Sequence, residues 1–163
     1  MTKWSFNRRV LKEEPMTDTQ PPARLIGGQE HTGPEAMYAN DLASRHLGIT
    51  LDDHGDGHAT CSMTVTETMV NGHGITHGGY VFLFADTTFA MACNEIGSVT
   101  VASGGDITFL RPSRTGDTLT AHGKRVAATG RSGIYDVEVF RGDELIAVYR
   151  GRSRTLPAPP AGR

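Results

Sequence analysis

The sequence predicts an α+β domain in which one curled antiparallel sheet of about five or six strands wraps a single long helix. Three observations predict it. Between Asn71 and Asn94 the chain reads NGHGITHGGYVFLFADTTFAMACN, a turn-rich approach to an almost wholly apolar helix. Strand-like segments flank that helix, and most are joined by connections too short for a parallel crossover, which needs about a dozen residues or more. The length, 163 residues, suits one domain with a real core and is short for two.

Residues 1–33 mix charges with Pro15, Pro21, Pro22, Gly27 and Gly28 without periodicity, which predicts a flexible arm. Met16 is an alternative start to Met1. The folded domain is expected over residues 34–155, and the tail 156–163, LPAPPAGR, is Pro and small residues that cannot pair in a sheet. PEAMYANDLASRHLG, from Pro34, reads as one short helix, with Pro in the first turn, Met37, Leu42 and Leu47 along it, and Gly48 as its stop. ITLDD and HATCSMTVT follow as strands about a turn at Gly55 and Gly57; in the second, Ala59, Cys61, Met63 and Val65 alternate with hydroxyl residues. The long helix is expected from Gly78 to about Glu95. It is apolar on nearly every side, so it should be enclosed by the sheet and by another surface. SVTVASGGDITFL, DTLTAHGKRVA, IYDVEVFRG and ELIAVYRGRSRT complete the strands, with a tight hairpin at Arg141–Glu144 and a turn marked by Pro112 and Gly116. A sheet curled about one helix is the hotdog architecture.

The formal net charge is −2, and apart from Arg150, Arg152 and Arg154 the basic residues are dispersed. That leaves no broad footprint for nucleic acid or an anionic membrane. Cys61 and Cys93 lie far apart among apolar or strand-like residues, as buried thiols of a reducing compartment do. No run reaches the roughly eighteen apolar residues of a membrane span, and MTKWSFNRRVLKEEP lacks the apolar core of a signal peptide. A cytoplasmic protein is expected.

Asp86 is the best clue to function. A carboxylate among Phe82, Leu83, Phe89 and Ala90 is costly unless it is paired or does chemistry. The bland explanation is a hydrogen-bond partner such as Thr87, Thr88 or a residue across an interface. His73 and His77 lie four apart, but in a glycine-rich turn they lack the helical context of a zinc motif and a third ligand, so no metal is expected. Gly72, Gly74 and Gly78 have one residue too many for a dinucleotide fingerprint, and no βαβ unit follows.

NGHGxxHGG, the helix FxxADxxFAxACN, then TFLRPSRTGDTLTA and YDVEVFRGDELIAVYRGRS together resemble the PaaI family of hotdog acyl-CoA thioesterases, over residues 45–154. The resemblance implies hydrolysis of phenylacetyl-CoA, hydroxyphenylacetyl-CoA or related aryl or medium-chain acyl-CoA thioesters, with no cofactor beyond the coenzyme A of the substrate. It also implies a homotetramer built from two dimers. Residue by residue, the acidic catalyst falls on Asp86, the oxyanion glycine on Gly78 and the positioning asparagine on Asn71. SGGDITFL departs from the expected pattern, with Gly104, Gly105 and Asp106 in a strand that should be less glycine-rich and uncharged.

Thioester hydrolysis needs a nucleophile, or a base to activate water, and donors for the oxyanion. Gly78 and Gly79 open the long helix, where N–H groups without helical partners point outward and glycine admits a carbonyl closely. His77 is placed to fix this turn by hydrogen bonding. Eight residues at 1.5 Å each put Gly78 and Asp86 roughly 12 Å apart, too far for one carbonyl to touch both. The expectation is a catalytic homodimer, with the carboxylate from one subunit and the amide from the other. Arg111, Arg150 and Arg152 are candidates for the coenzyme A phosphates, or else cations on solvated strand faces. A catalytically silent acyl-CoA-binding hotdog and a hotdog hydratase or dehydratase remain alternatives.

Overall fold

Alternation along His58–Thr64 buries Ala59, Cys61 and Met63 and leaves both ends exposed, so this segment is a strand with one face on a core. The computed structural model describes residues 32–157. In chain order they form α1 (Pro34–Asn40), α2 (Leu42–His46), β1 (Thr50–Gly55), β2 (His58–Thr64), a 3-10 turn (Glu67–Met69), α3 (Gly78–Cys93), β3 (Thr100–Phe109), β4 (Thr118–Thr129), β5 (Ser132–Arg141) and β6 (Glu144–Thr155). The six strands make one sheet in the order β1-β2-β4-β5-β6-β3, and each neighbouring pair is antiparallel. This is the hotdog architecture that the sequence predicts. The expected arm, apart from Thr32 and Gly33, and the expected tail beyond Pro157 lie outside the described residues.

The first helix is two helices, not one. Asp41 leaves the helical region at φ −82 and ψ 86, and its carboxylate accepts from the Ser44 N–H at 3.0 Å. An Asp that can cap competes with helical continuation, and here the cap wins. Ser44, itself buried, then meets Thr87 on α3 at 2.8 Å. Together with Met37, Tyr38 and Leu47, this pair of short helices supplies part of the second surface against α3.

The sheet side of α3 buries Val81, Phe84, Ala85, Thr88, Phe89 and Ala92. Close approach is possible because β6 presents Gly151, where an added Cβ would stand 2.6 Å from the Phe89 ring. The helix ends at Cys93, slightly before the expected Glu95, because the Asn94 side chain takes over. Its Nδ2 donates to the carbonyls of Ala90 and Thr100, and its Oδ1 accepts from the Thr100 N–H, each at 3.0 Å. Cys61 and Cys93 are free and buried, and burial pushes their thiols up to about 11 and about 12. They are packing residues, not nucleophiles.

Candidate active site

The segment before α3 is held by its own backbone and by four side chains, Asn71, Thr76, Ser113 and His77. The Asn71 Oδ1 accepts from the His73 N–H at 2.8 Å, and the Asn71 N–H donates to the Ile75 carbonyl at 2.8 Å. Thr76 is tied to Ser113 twice, by its N–H to the Ser113 carbonyl at 2.8 Å and by a hydroxyl pair at 2.7 Å. His77 is the N-cap, and its Nδ1 accepts from the Gly79 N–H at 2.9 Å. The expected bracing by His77 is present, and it uses the Gly79 amide, which is therefore not free for a substrate. The Gly78 N–H has no acceptor among the described residues. It stands at the positive end of a helix of 16 residues, where a negative oxygen is favoured.

A cleft of about 460 Å³ opens there, lined by Asn71, Gly78, Val81, Phe109, Arg111 and Ser113 among others. The Phe109 ring lies on Gly78, so close that a Cβ at Gly78 would be 2.9 Å from it. Three of the expected site residues, Asn71, Gly78 and Arg111, thus share one cleft.

Asp86 is not among its walls. The carboxylate sits about two turns further along α3 and is half-buried. It is paired, but not with Thr87 or Thr88. The hydroxyl of Tyr149 donates to Asp86 Oδ1 at 2.6 Å, while Thr87 bonds Ser44 and Thr88 bonds back to the Phe84 carbonyl. Sequence reasoning does not reach Tyr149, a mid-strand aromatic that reads as core. The available signal was the pair Gly104-Gly105, because glycine inside a strand marks a close approach. A Cβ at Gly105 would lie 2.1 Å from the Tyr149 hydroxyl. The glycine-rich departure in SGGDITFL therefore makes room for the residue that holds Asp86.

The three arginines are occupied. Arg111 Nε pairs with Glu144 at 3.0 Å, and its guanidinium also donates to the Leu145 carbonyl at 2.9 Å. Arg150 makes two bonds of 2.6 Å to Asp136 across the β5–β6 ladder. Arg152 reaches Asp106 on β3 at 2.5 Å. Along β6, Tyr149, Gly151 and Ser153 are buried while Arg150, Arg152 and Arg154 are exposed. Arg150 and Arg152 thus lie on the solvated outer face, away from α3. At the other end of α3 a second, smaller cavity of about 190 Å³ is lined by Ser98, Arg131, Ser132, Ser153 and Thr155 among others. Arg131 makes no ion pair among the described residues. Also among the described residues, no group of three or more His, Cys, Asp or Glu could hold a metal ion, and no helix is long and apolar enough to cross a membrane.

A family model described as the thioesterase superfamily matches residues 73–148. The acyl-coenzyme A thioesterase PaaI of Escherichia coli strain K12 is 43% identical over 122 residues, 74% of this chain and 87% of that protein. Acyl-coenzyme A thioesterase 13 of Homo sapiens is 35% identical over 104 residues, 58% of this chain and 74% of that one. The solved structure of the Escherichia coli PaaI protein, described as from the phenylacetic acid degradation operon, superposes with a TM-score of 0.73 and covers 76% of this chain and 90% of that one.

Proposed function

The chain belongs to the thioesterase superfamily with the PaaI-type enzymes and is a thioester hydrolase; from that premise we propose that it cleaves phenylacetyl-CoA, hydroxyphenylacetyl-CoA or related aryl or medium-chain acyl-CoA thioesters, with Asp86 as the catalytic carboxylate and the Gly78 amide as oxyanion donor. The observation that carries this reading is the arrangement of those two groups along one unpaired strand edge. Gly78 lies against Phe109, and Asp86 is tied through Tyr149 to Gly105. Phe109 and Gly105 are four residues apart on β3, roughly 13 Å, which matches the roughly 12 Å between Gly78 and Asp86 along α3.

β3 closes the sheet on one side, and among the described residues its outer edge is unpaired over Thr100–Phe109. An edge this long, carrying exposed Val101 and Phe109, invites a second strand. If two copies pair antiparallel about a two-fold axis at Ile107, Gly105 of one faces the partner's Phe109. Residues 105, 107 and 109 share one face of the strand, so both ends of the match point toward the helices. That register brings Asp86 beside the partner's Gly78 and closes the gap that a single chain leaves. Two such sites form per dimer, and two dimers make the expected tetramer.

In the reaction so drawn, Asp86 takes a proton from water as the water oxygen attacks the thioester carbonyl. The Gly78 N–H receives the developing oxyanion. Collapse breaks the C–S bond, and the proton returns from Asp86 to the leaving coenzyme A thiolate. Asn71, beside Gly78 in the cleft, positions the acyl end, and His77 keeps the helix terminus in shape. No cofactor enters, coenzyme A being part of the substrate. Arg111 remains a candidate contact for the nucleotide end because it lines the cleft; Arg150 and Arg152 are better read as partners of Asp136 and Asp106. The second cavity, lined by Ser98, Ser132 and Arg131 and also by Glu95, which is paired with Arg125, offers the phosphates in Arg131 a cation that no carboxylate holds among the described residues. A cytoplasmic location belongs to the same reading, since free buried thiols suit a reducing compartment.

The test is complementation. Proline at position 78 is compatible with a first helical turn and removes the N–H; its Cβ also displaces the Phe109 ring that lies against Gly78, and both changes fall on the one site that the heterodimer leaves broken. Asp86→Ala and Gly78→Pro should each abolish thiol release from a panel of aryl and aliphatic acyl-CoAs. Mixing and re-forming the two should restore activity in heterodimers, each of which holds one intact Asp86–Gly78 pair. No recovery despite demonstrated subunit exchange would sink the shared site.

A further inference from the structure

We propose that Tyr149 is a positioning residue for Asp86: its hydroxyl anchors one carboxylate oxygen and thereby assigns the chemistry to the other. The assignment rests on Asp86 being the catalytic carboxylate. Oδ1 accepts the Tyr149 O–H at 2.6 Å, and Oδ2 carries no protein hydrogen bond among the described residues. An Asp side chain on a helix has two soft torsions, and a single short bond to a rigid donor removes most of that freedom.

The donor is rigid. Tyr149 is 1% exposed, and its ring is clamped edge-on by Phe82 at 5.3 Å and tilted against Phe89 at 6.0 Å. Its seat is built from two strands. Gly105 and Gly151 are direct partners in the β3–β6 ladder. Gly105 leaves space for the phenol and Gly151 for the Phe89 ring. A phenylalanine at 149 would fill the same seat without the oxygen, so packing alone does not call for a tyrosine. The oxygen is also the atom that a Cβ at Gly105 would meet first, at 2.1 Å. The terminal strand of the described sheet has given up a side chain, at a cost in strand propensity, where the hydroxyl must sit. The groups facing that hydroxyl are Asp86 and, at longer range, Asp106 and Cys93.

Two measurements on the full chain test the assignment. Tyr149→Phe keeps the ring and removes the donor, so kcat should fall about tenfold or more while KM stays within about twofold and the melting temperature holds. Burial first, and Asp86 second, hold the Tyr149 phenol above its usual range, so the contact itself is read at neutral pH and without turnover, by ultraviolet resonance Raman spectroscopy, in which the tyrosine ring modes report a strongly donating phenol. The wild type should show one such phenol that Asp86→Ala lacks. Identical tyrosine signatures in the two would overturn the proposal even if Tyr149→Phe failed to fold. A kcat for Tyr149→Phe within about twofold of the wild type, alongside an inactive Asp86→Asn, would overturn it while leaving the thioesterase reading intact. A wild-type chain that released no thiol from any acyl-CoA would overturn both.

Discussion

At its first residue α3 meets an open cleft, a glycine and an amide with no acceptor among the described residues; at its last it meets Asn94, which bonds both the helix and β3. The halves behind these ends differ in the same way. From Gly78 to Asp86 the outward residues Tyr80, Phe82, Leu83 and Asp86 are only partly covered, whereas from Thr87 to Asn94 every residue except Ala90 is buried. On the proposed reading one helix divides its labour, with chemistry at the end that opens on the cleft and rigidity at the end that Asn94 bonds. Local stability is unevenly spread in such a design, and functional groups sit at its looser end.

The sharpest test of that division is Asp86→Asn. Amide for carboxylate keeps size and leaves an acceptor for Tyr149, so the melting temperature should hold while thiol release drops about 10³-fold, the scale of losing a catalytic base. Asn94→Ala should do the reverse. It removes one hydrogen bond to the Ala90 carbonyl and two to buried Thr100 and should cost about 2 kcal/mol in denaturant unfolding, with activity per folded molecule unchanged. The smallest effect belongs to His77→Ala. Loss of the cap should cost about 1 kcal/mol and lower kcat a few-fold, because it loosens the turn that presents Gly78. If Asn94→Ala lost as much activity per folded molecule as His77→Ala, the two ends would not be functionally distinct.

Much of the fold was legible because its signals are local. The alternation of Ala59, Cys61 and Met63 and the glycine turn that joins β1 to β2 each lie within a few residues. Asp41 shows where local reading fails: apolar spacing runs on through it, yet its side chain caps the next helix instead of continuing the first. In the site, Asp86 and Gly78 could be read from the sequence, one as a charge in an apolar helix and the other as a glycine at its start. Tyr149 could not, since its bond to Asp86 spans 63 residues and depends on how β6 registers against β3. The arginines illustrate the same limit. The ladders alone bring Asp136 opposite Arg150 and Asp106 diagonally within reach of Arg152, so sequence leaves a free cation and a paired one looking alike.

The contact between Gly105 and Tyr149 makes two positions on neighbouring strands into one steric unit. A side chain cannot be added at 105 while a large ring stands at 149, and shrinking the ring first would empty the space beneath Phe82. Divergence at this site must therefore pass through both positions together, and a chain that keeps one of the pair is under physical pressure to keep the other.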